Sequence, residues 1–152
     1  SARQGKHGFD FVDADVLIQK KHGKLLRELI AEYGDDGFLQ IENDVNKEID
    51  LKNTVIATGG SVVYCDEARQ HYVKNDIVVY IELPYGVIAS RLENVKRRGV
   101  VLKDGQTLKD LYNERILLYE KYAQITVKAE GLSVEELMDT IAEKVLAYEK
   151  TH

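Results

Sequence analysis

Two hydrophobic periods alternate along the chain. Short runs of β-branched and aromatic residues are separated by longer stretches whose apolar positions recur every three or four residues. That alternation predicts an α/β fold with a mostly parallel sheet between helical layers. Strands are predicted at Phe9–Asp13, Asn53–Ala57, Asp76–Leu83 and Gln124–Lys128. The third is nearly continuous in apolar residues, which predicts burial on both faces, and Pro84 stops it. Val16, Leu17, Leu25, Leu26, Leu29 and Ile30 keep helical spacing around Gly23, so two helices joined by a turn are expected. Gly34-Asp35-Asp36-Gly37 punctuates the chain, and a third helix carries Phe38, Ile41, Val45 and Ile49 on one face. Further helices are predicted over Asp66–Val73, 85–95 and Leu108–Tyr122. A last one starts at Ser133, where Glu136 completes a capping box, and buries Leu137, Ile141, Val145 and Leu146.

The strand ends carry the candidate chemistry. Val55-Ile56-Ala57-Thr58 reads as a buried strand that breaks into Gly59-Gly60-Ser61. Paired glycines at the carboxyl end of a strand let backbone N–H groups approach a ligand, and parallel sheets bind ligands at that end. A plain tight turn explains the glycines equally well when they are taken alone. The first strand ends in Asp13-Ala14-Asp15. One aspartate suits a helix N-cap, and the second favours a site. Glu42 follows Phe38 by one helical turn, on or near the inward face, and an inward carboxylate needs a partner from elsewhere in the fold. Arg115 lies on the apolar side of its helix and needs an acid such as Glu42 or a ligand anion.

Composition narrows the class. The chain has 152 residues, a net charge of −5 and no basic stripe interleaved with aromatics, which argues against a nucleic-acid partner. No apolar run is long enough to span a membrane, and no signal peptide follows Arg3 and Lys6. Cys65 is the only cysteine, which excludes an internal disulfide and fits a reducing cytoplasm. His7, His22, His71 and His152 show no metal-ligand spacing. Against the acidic background, Lys96-Arg97-Arg98-Gly99-Val100-Val101-Leu102-Lys103-Asp104-Gly105 reads as a basic loop. With Arg91 before it and Arg115 after it, the loop suits a phosphate or carboxylate ligand.

From about Gly8 to the end, the order and spacing of these segments resemble the shikimate kinase family, small P-loop kinases of the nucleoside-monophosphate-kinase group. The carrying segments are Phe11-Val12-Asp13-Ala14-Asp15, Gly34-Asp35 to Phe38 with Glu42, Ile56-Ala57-Thr58-Gly59-Gly60, Arg91 with Arg98, and Arg115-Ile116-Leu117-Leu118-Tyr119 with Ala123. The resemblance implies a three-layer αβα domain over residues 1–152, with a lid at about 96–107. It implies phosphoryl transfer from ATP, with Mg²⁺, to shikimate, giving shikimate 3-phosphate for aromatic amino-acid biosynthesis in the cytoplasm. Asp15 would bind the hydroxyl that is phosphorylated and act as base or orienter. Asp13 would help hold Mg²⁺ through water. Phe38, Gly59, Gly60 and Arg115 would contact substrate, Arg115 through its carboxylate. Arg98 would reach the transferring phosphate from the lid, and Arg91 would stack on adenine. The implied partners are small molecules, and the protein would be a monomer or weak oligomer.

The chain departs from the family pattern in several places. It contains no G-x-x-x-x-G-K-[ST] loop, and the first, central strand of the architecture is absent as well. Ser1–His7 would then be the tail of the helix after that loop. The expectation is a fragment, or a chain whose natural N-terminus is missing, inactive in ATP-dependent transfer as written, with two rows of strand backbone left unpaired. Leu39 stands where the family has an arginine that shares the substrate carboxylate, and Glu42 loses that arginine as a partner. Ser61 replaces a third glycine, Gly99 replaces a proline and is expected to loosen the lid, and Leu117 replaces another proline. Two alternatives stand beside shikimate phosphorylation. One is a kinase for a different polyol or hydroxy acid, and the other a catalytically impaired kinase-like domain that binds a ligand or partner.

Overall fold

The computed structural model describes residues 3–4, 8–95 and 105–152. Among the described residues, five strands and six helices run in the order β1 (Arg3–Gln4), β2 (Asp10–Asp13), α1 (Ala14–His22), α2 (Leu26–Asn46), β3 (Thr54–Ala57), α3 (Asp66–Asn75), β4 (Val79–Glu82), α4 (Tyr85–Val95), α5 (Leu108–Tyr122), β5 (Ile125–Lys128) and α6 (Val134–Thr151). A 3-10 turn, Gly60–Tyr64, joins β3 to α3. The alternation expected from the sequence is present.

The helix boundaries follow the punctuation. Gly23 ends α1 in the left-handed region at φ 65°, and its N–H caps Gln19. Gly34, at φ 74°, breaks α2 into the two helical stretches that the glycine cluster predicts. Ser133 caps α6, taking the Glu136 N–H on Oγ at 3.1 Å while Glu136 returns a carboxylate to the Ser133 N–H at 2.9 Å.

The strands form two sheets. Parallel pairing of β2 with β3 puts Asp13 opposite Ala57, so both strands end at the same level. A second sheet pairs β4 with β5 in parallel. No ladder joins β3 to β4 among the described residues, so each of these strands lies at an edge.

That arrangement corrects three expectations. Arg3 and Gln4 are not a helical tail; they form β1, antiparallel to β2. The outer edge of β2 carries free backbone groups, and an extended segment satisfies them. β3 is half-buried throughout rather than buried, because it is an edge strand. β4 is shorter than the apolar run 76–83 and is not buried on both faces: Ile81 is 41% exposed. Apolar composition reports a preference for burial, and β4 has a strand neighbour on one side only.

The core falls into two clusters. Ile18, Leu29, Phe38 and Val45 pack between α1 and α2. Ile125, Val127 and Ile141 pack between β5 and α6, with Leu137 and Val145 against them as the sequence pattern predicts, whereas Leu146, expected on the same buried face, is exposed.

Candidate active site

The site is built where β2 and β3 end. Asp13 is the N-cap of α1: its Oδ1 accepts the Asp15 N–H at 2.9 Å. The cap fixes the first turn of α1 and so orients the half-buried Asp15 toward β3. Gly59 lies there. A Cβ on Gly59 would come within 3.2 Å of Asp15 Oδ1 and 2.9 Å of Glu42 Oε2. Its φ of −66° is open to any residue, so the approach of two carboxylates is what demands glycine. Gly60 is crowded in the same way from the opposite side, where a Cβ would lie 2.8 Å from Arg115 Nη1 and 2.9 Å from the Tyr119 hydroxyl. Acids thus face one glycine and a guanidinium faces the next.

Glu42 reaches this place from α2 and is 1% exposed. Its turn of helix is pinned by amides: Asn46 Nδ2 donates to the Glu42 carbonyl at 2.8 Å, and Asn46 Oδ1 accepts the Tyr72 hydroxyl at 2.7 Å. Asn43 Oδ1 takes the Ala68 N–H at 3.0 Å, which ties α2 to α3. The carboxylate accepts Ser61 Oγ–H at 2.6 Å and a weak contact from Cys65 Sγ at 3.8 Å. No ion pair among the described residues joins Glu42 to Arg115. The need for a partner is therefore met by a hydroxyl rather than by a cation. Burial pushes the Glu42 carboxyl above its ordinary value; Asp15 adds to that, while the Ser61 hydrogen bond and Arg115 oppose it. Burial, reinforced by Glu42, pushes the Cys65 thiol up to about 12, so it is no nucleophile at neutral pH.

Arg115 projects from α5 over Gly60, with its guanidinium carbon 5.5 Å from the Tyr64 ring centroid. Its Nε is buried without a hydrogen-bond partner among the described residues. A buried donor left unmatched costs about 1–3 kcal/mol, so the position suits an anionic ligand. Tyr119, one turn further along α5, donates its hydroxyl to the Gly60 carbonyl at 2.8 Å and locks the glycine turn to the helix.

Of the residues singled out in the sequence, Asp15, Gly59, Gly60 and Arg115 converge, with Asp13 behind them as a cap. Phe38 is 3% exposed and packs in the α1–α2 core, where it supports the turn that carries Glu42. Arg91 is exposed on α4. Arg98, like lid positions 96–104, lies outside the described residues. Sequence reasoning missed the parts of Ser61 and Tyr119. The position of Tyr119 four residues after Arg115, hence on the same helix face, was the available signal.

For a divalent cation the described residues provide little. No group of three or more His, Cys, Asp or Glu side chains is placed to hold one among them. Mg²⁺ is commonly bound by one or two carboxylates together with water and substrate phosphates, and Asp13 fits that mode.

A family model described as shikimate kinase matches residues 5–146. The chain belongs to the shikimate kinase family. The shikimate kinase of Thermodesulfovibrio yellowstonii is 36% identical over 144 residues, covering 93% of this chain and 80% of the relative. That of Bacillus anthracis is 33% identical over 137 residues, covering 90% and 82%. Among solved structures, shikimate kinase from Acinetobacter baumannii in complex with shikimate superposes with a TM-score of 0.77 at 27% identity, over 93% of this chain and 78% of that one. The Aquifex aeolicus enzyme gives 0.70 at 27% identity, over 92% and 80%. Membership makes this chain a phosphotransferase of the P-loop kinase α/β architecture. No helix among the described residues is long and apolar enough to cross a membrane.

Proposed function

We propose that this chain, as one kinase-like domain, provides the acceptor site for phosphoryl transfer from ATP to a ring hydroxyl of shikimate, with Asp15, Gly59, Gly60 and Arg115 forming that site. The observation that carries this reading is the pairing of opposite charges across adjacent glycines. Asp15 lies against Gly59 and Arg115 against Gly60, so a small hydroxy acid can present its hydroxyl to one and its carboxylate to the other. The buried, unmatched Arg115 Nε supports the carboxylate end. In this reading Asp15 accepts the hydroxyl proton or orients that oxygen toward the phosphate. Gly59 and Gly60 let Asp15 and Arg115 close on the turn because they lack Cβ atoms. Tyr119 holds the second glycine in place. Phosphoryl transfer relies on positioning and charge neutralisation, so this division of labour suits the reaction.

Phe38 contributes as the wall behind α2. Arg91 stacks on adenine and Arg98 neutralises the transferring phosphate. When bound, Mg²⁺ offsets phosphate charge, and Asp13 holds it through water. The protein works in the cytoplasm on small molecules alone, as a monomer or weak oligomer.

The test is an ATP-consumption screen of the full-length protein against shikimate and related hydroxy acids and polyols. Shikimate is expected to give the highest kcat/KM. Turnover of another polyol acid in preference to shikimate, or binding without turnover, would overturn the reading.

A further inference from the structure

Glu42 and Arg115 carry opposite charges and converge on the same two-residue turn, yet they do not pair. Glu42 Oε2 faces Gly59, and Arg115 Nη1 faces Gly60. The other carboxylate oxygen of Glu42 is held by Ser61 Oγ at 2.6 Å, inside the protein, where Ser61 is 8% exposed. Asp15 approaches Glu42 from α1, Ser61 from the 3-10 turn, Cys65 and Tyr72 from the α3 side, and Arg115 and Tyr119 from α5. Arg115 is the one cation of this set. A carboxylate released from Ser61 therefore has a single cation of this set to turn to. Pairing with it would occupy the guanidinium from the protein side.

We infer that Ser61 is a positioning residue for substrate affinity: its hydroxyl tethers the Glu42 carboxylate to the 3-10 turn and so keeps the Arg115 guanidinium available for the substrate carboxylate. Cys65 adds a weak second tether on the same oxygen at 3.8 Å. The amide network of Asn43, Asn46 and Tyr72 fixes the backbone of that turn but leaves the carboxylate direction to Ser61. This inference rests on the proposed role of Arg115 as the carboxylate receptor.

Steady-state kinetics of the full-length protein, with shikimate varied at saturating ATP, test it. Ser61→Ala raises KM for shikimate about tenfold, equivalent to about 1.4 kcal/mol, and leaves kcat within about twofold. Adding Glu42→Gln to Ser61→Ala removes the competing charge and recovers most of the lost KM. A structural defect would not be reversed in this way. Ser61→Gly carries the same expectations and serves if the alanine variant fails to fold. An unchanged KM in Ser61→Ala, a fall in kcat alone, or a rise that Glu42→Gln does not reverse would overturn the inference. Arg115→Met separates the two levels. A raised KM there with no effect at Ser61 defeats this inference alone, whereas an unchanged KM defeats the reading of Arg115 and this inference with it.

Discussion

The two halves of the molecule are packed on different terms. Between β5 and α6, Ile125, Val127 and Ile141 meet without a polar side chain among them, and the amphipathic pattern of α6 predicts the contact. Between α2, the 3-10 turn, α3 and α5, the interior holds Glu42, Asn43, Asn46 and Ser61, each buried and each hydrogen-bonded to a neighbouring element or turn. The first half is held by area removed from water, which tolerates small shifts. The second is held by directional bonds that fix side chains on a common point, at a desolvation cost the hydrogen bonds must offset. Under the proposed function, affinity and turnover belong to the second half, and stability alone to the first.

That division can be broken most severely at Asp15. Asp15→Asn keeps shape and removes the group proposed to handle the hydroxyl proton. Turnover is expected to fall by about 10³-fold, within the usual span for positioned acid–base groups, with an unchanged melting temperature. Normal turnover in this variant would remove Asp15 from the mechanism. At the other pole, Ile141→Ala should lower unfolding free energy by about 2–5 kcal/mol and leave KM for shikimate within twofold. Denaturant unfolding and kinetics on the same sample check both parts, and a large KM change would show that the halves are coupled.

Two smaller effects sharpen the polar half. Leu39 lies one turn before Glu42 and lines a cleft of about 200 Å³ with Tyr64 and Cys65. Leu39→Arg would supply the cation that the α2 face lacks and a second charge for the substrate. Calorimetry should show shikimate binding tighter by about tenfold, in line with about 1.5 kcal/mol for one charge-assisted hydrogen bond. Unaltered affinity would place Leu39 outside the site. Glu42→Gln tests the burial of charge. Since the folded protein raises the Glu42 carboxyl above its ordinary 4.5, the native state holds the proton more tightly than the unfolded chain. Stability from this group is then present at low pH and declines as pH rises past the unfolded value through the folded one. The melting temperature of Glu42→Gln relative to the parent should accordingly improve between pH 5 and pH 8. A constant difference would mean that Glu42 is not the group that titrates.

The sequence made the apolar half legible almost in full. Ser133, Glu136 and the α6 face are local signals, each read within a few residues of its neighbour. The strand-end acids and glycines were legible as well, because Asp13-Ala14-Asp15 and Thr58-Gly59-Gly60 break their strands with residues that a strand does not need. The Ser61–Glu42 bond was not legible, since its partners are separated by 19 residues and meet only once α2 has folded over the turn. The exposure of Ile81 and the pairing of Arg3–Gln4 were hidden for a related reason: both depend on which strand edges remain open, and a residue pattern carries no record of a neighbour.

Arg115 is the proposed receptor for the carboxylate of the substrate. This role is tested most directly by comparing kcat/KM for shikimate and for its methyl ester in the parent and in Arg115→Met. The parent should prefer shikimate by about 10- to 100-fold, the span of about 1.5–3 kcal/mol for a hydrogen bond to a charged group, and the variant should prefer it hardly at all. A variant that keeps the preference of the parent, or a parent that shows none, would contradict the account.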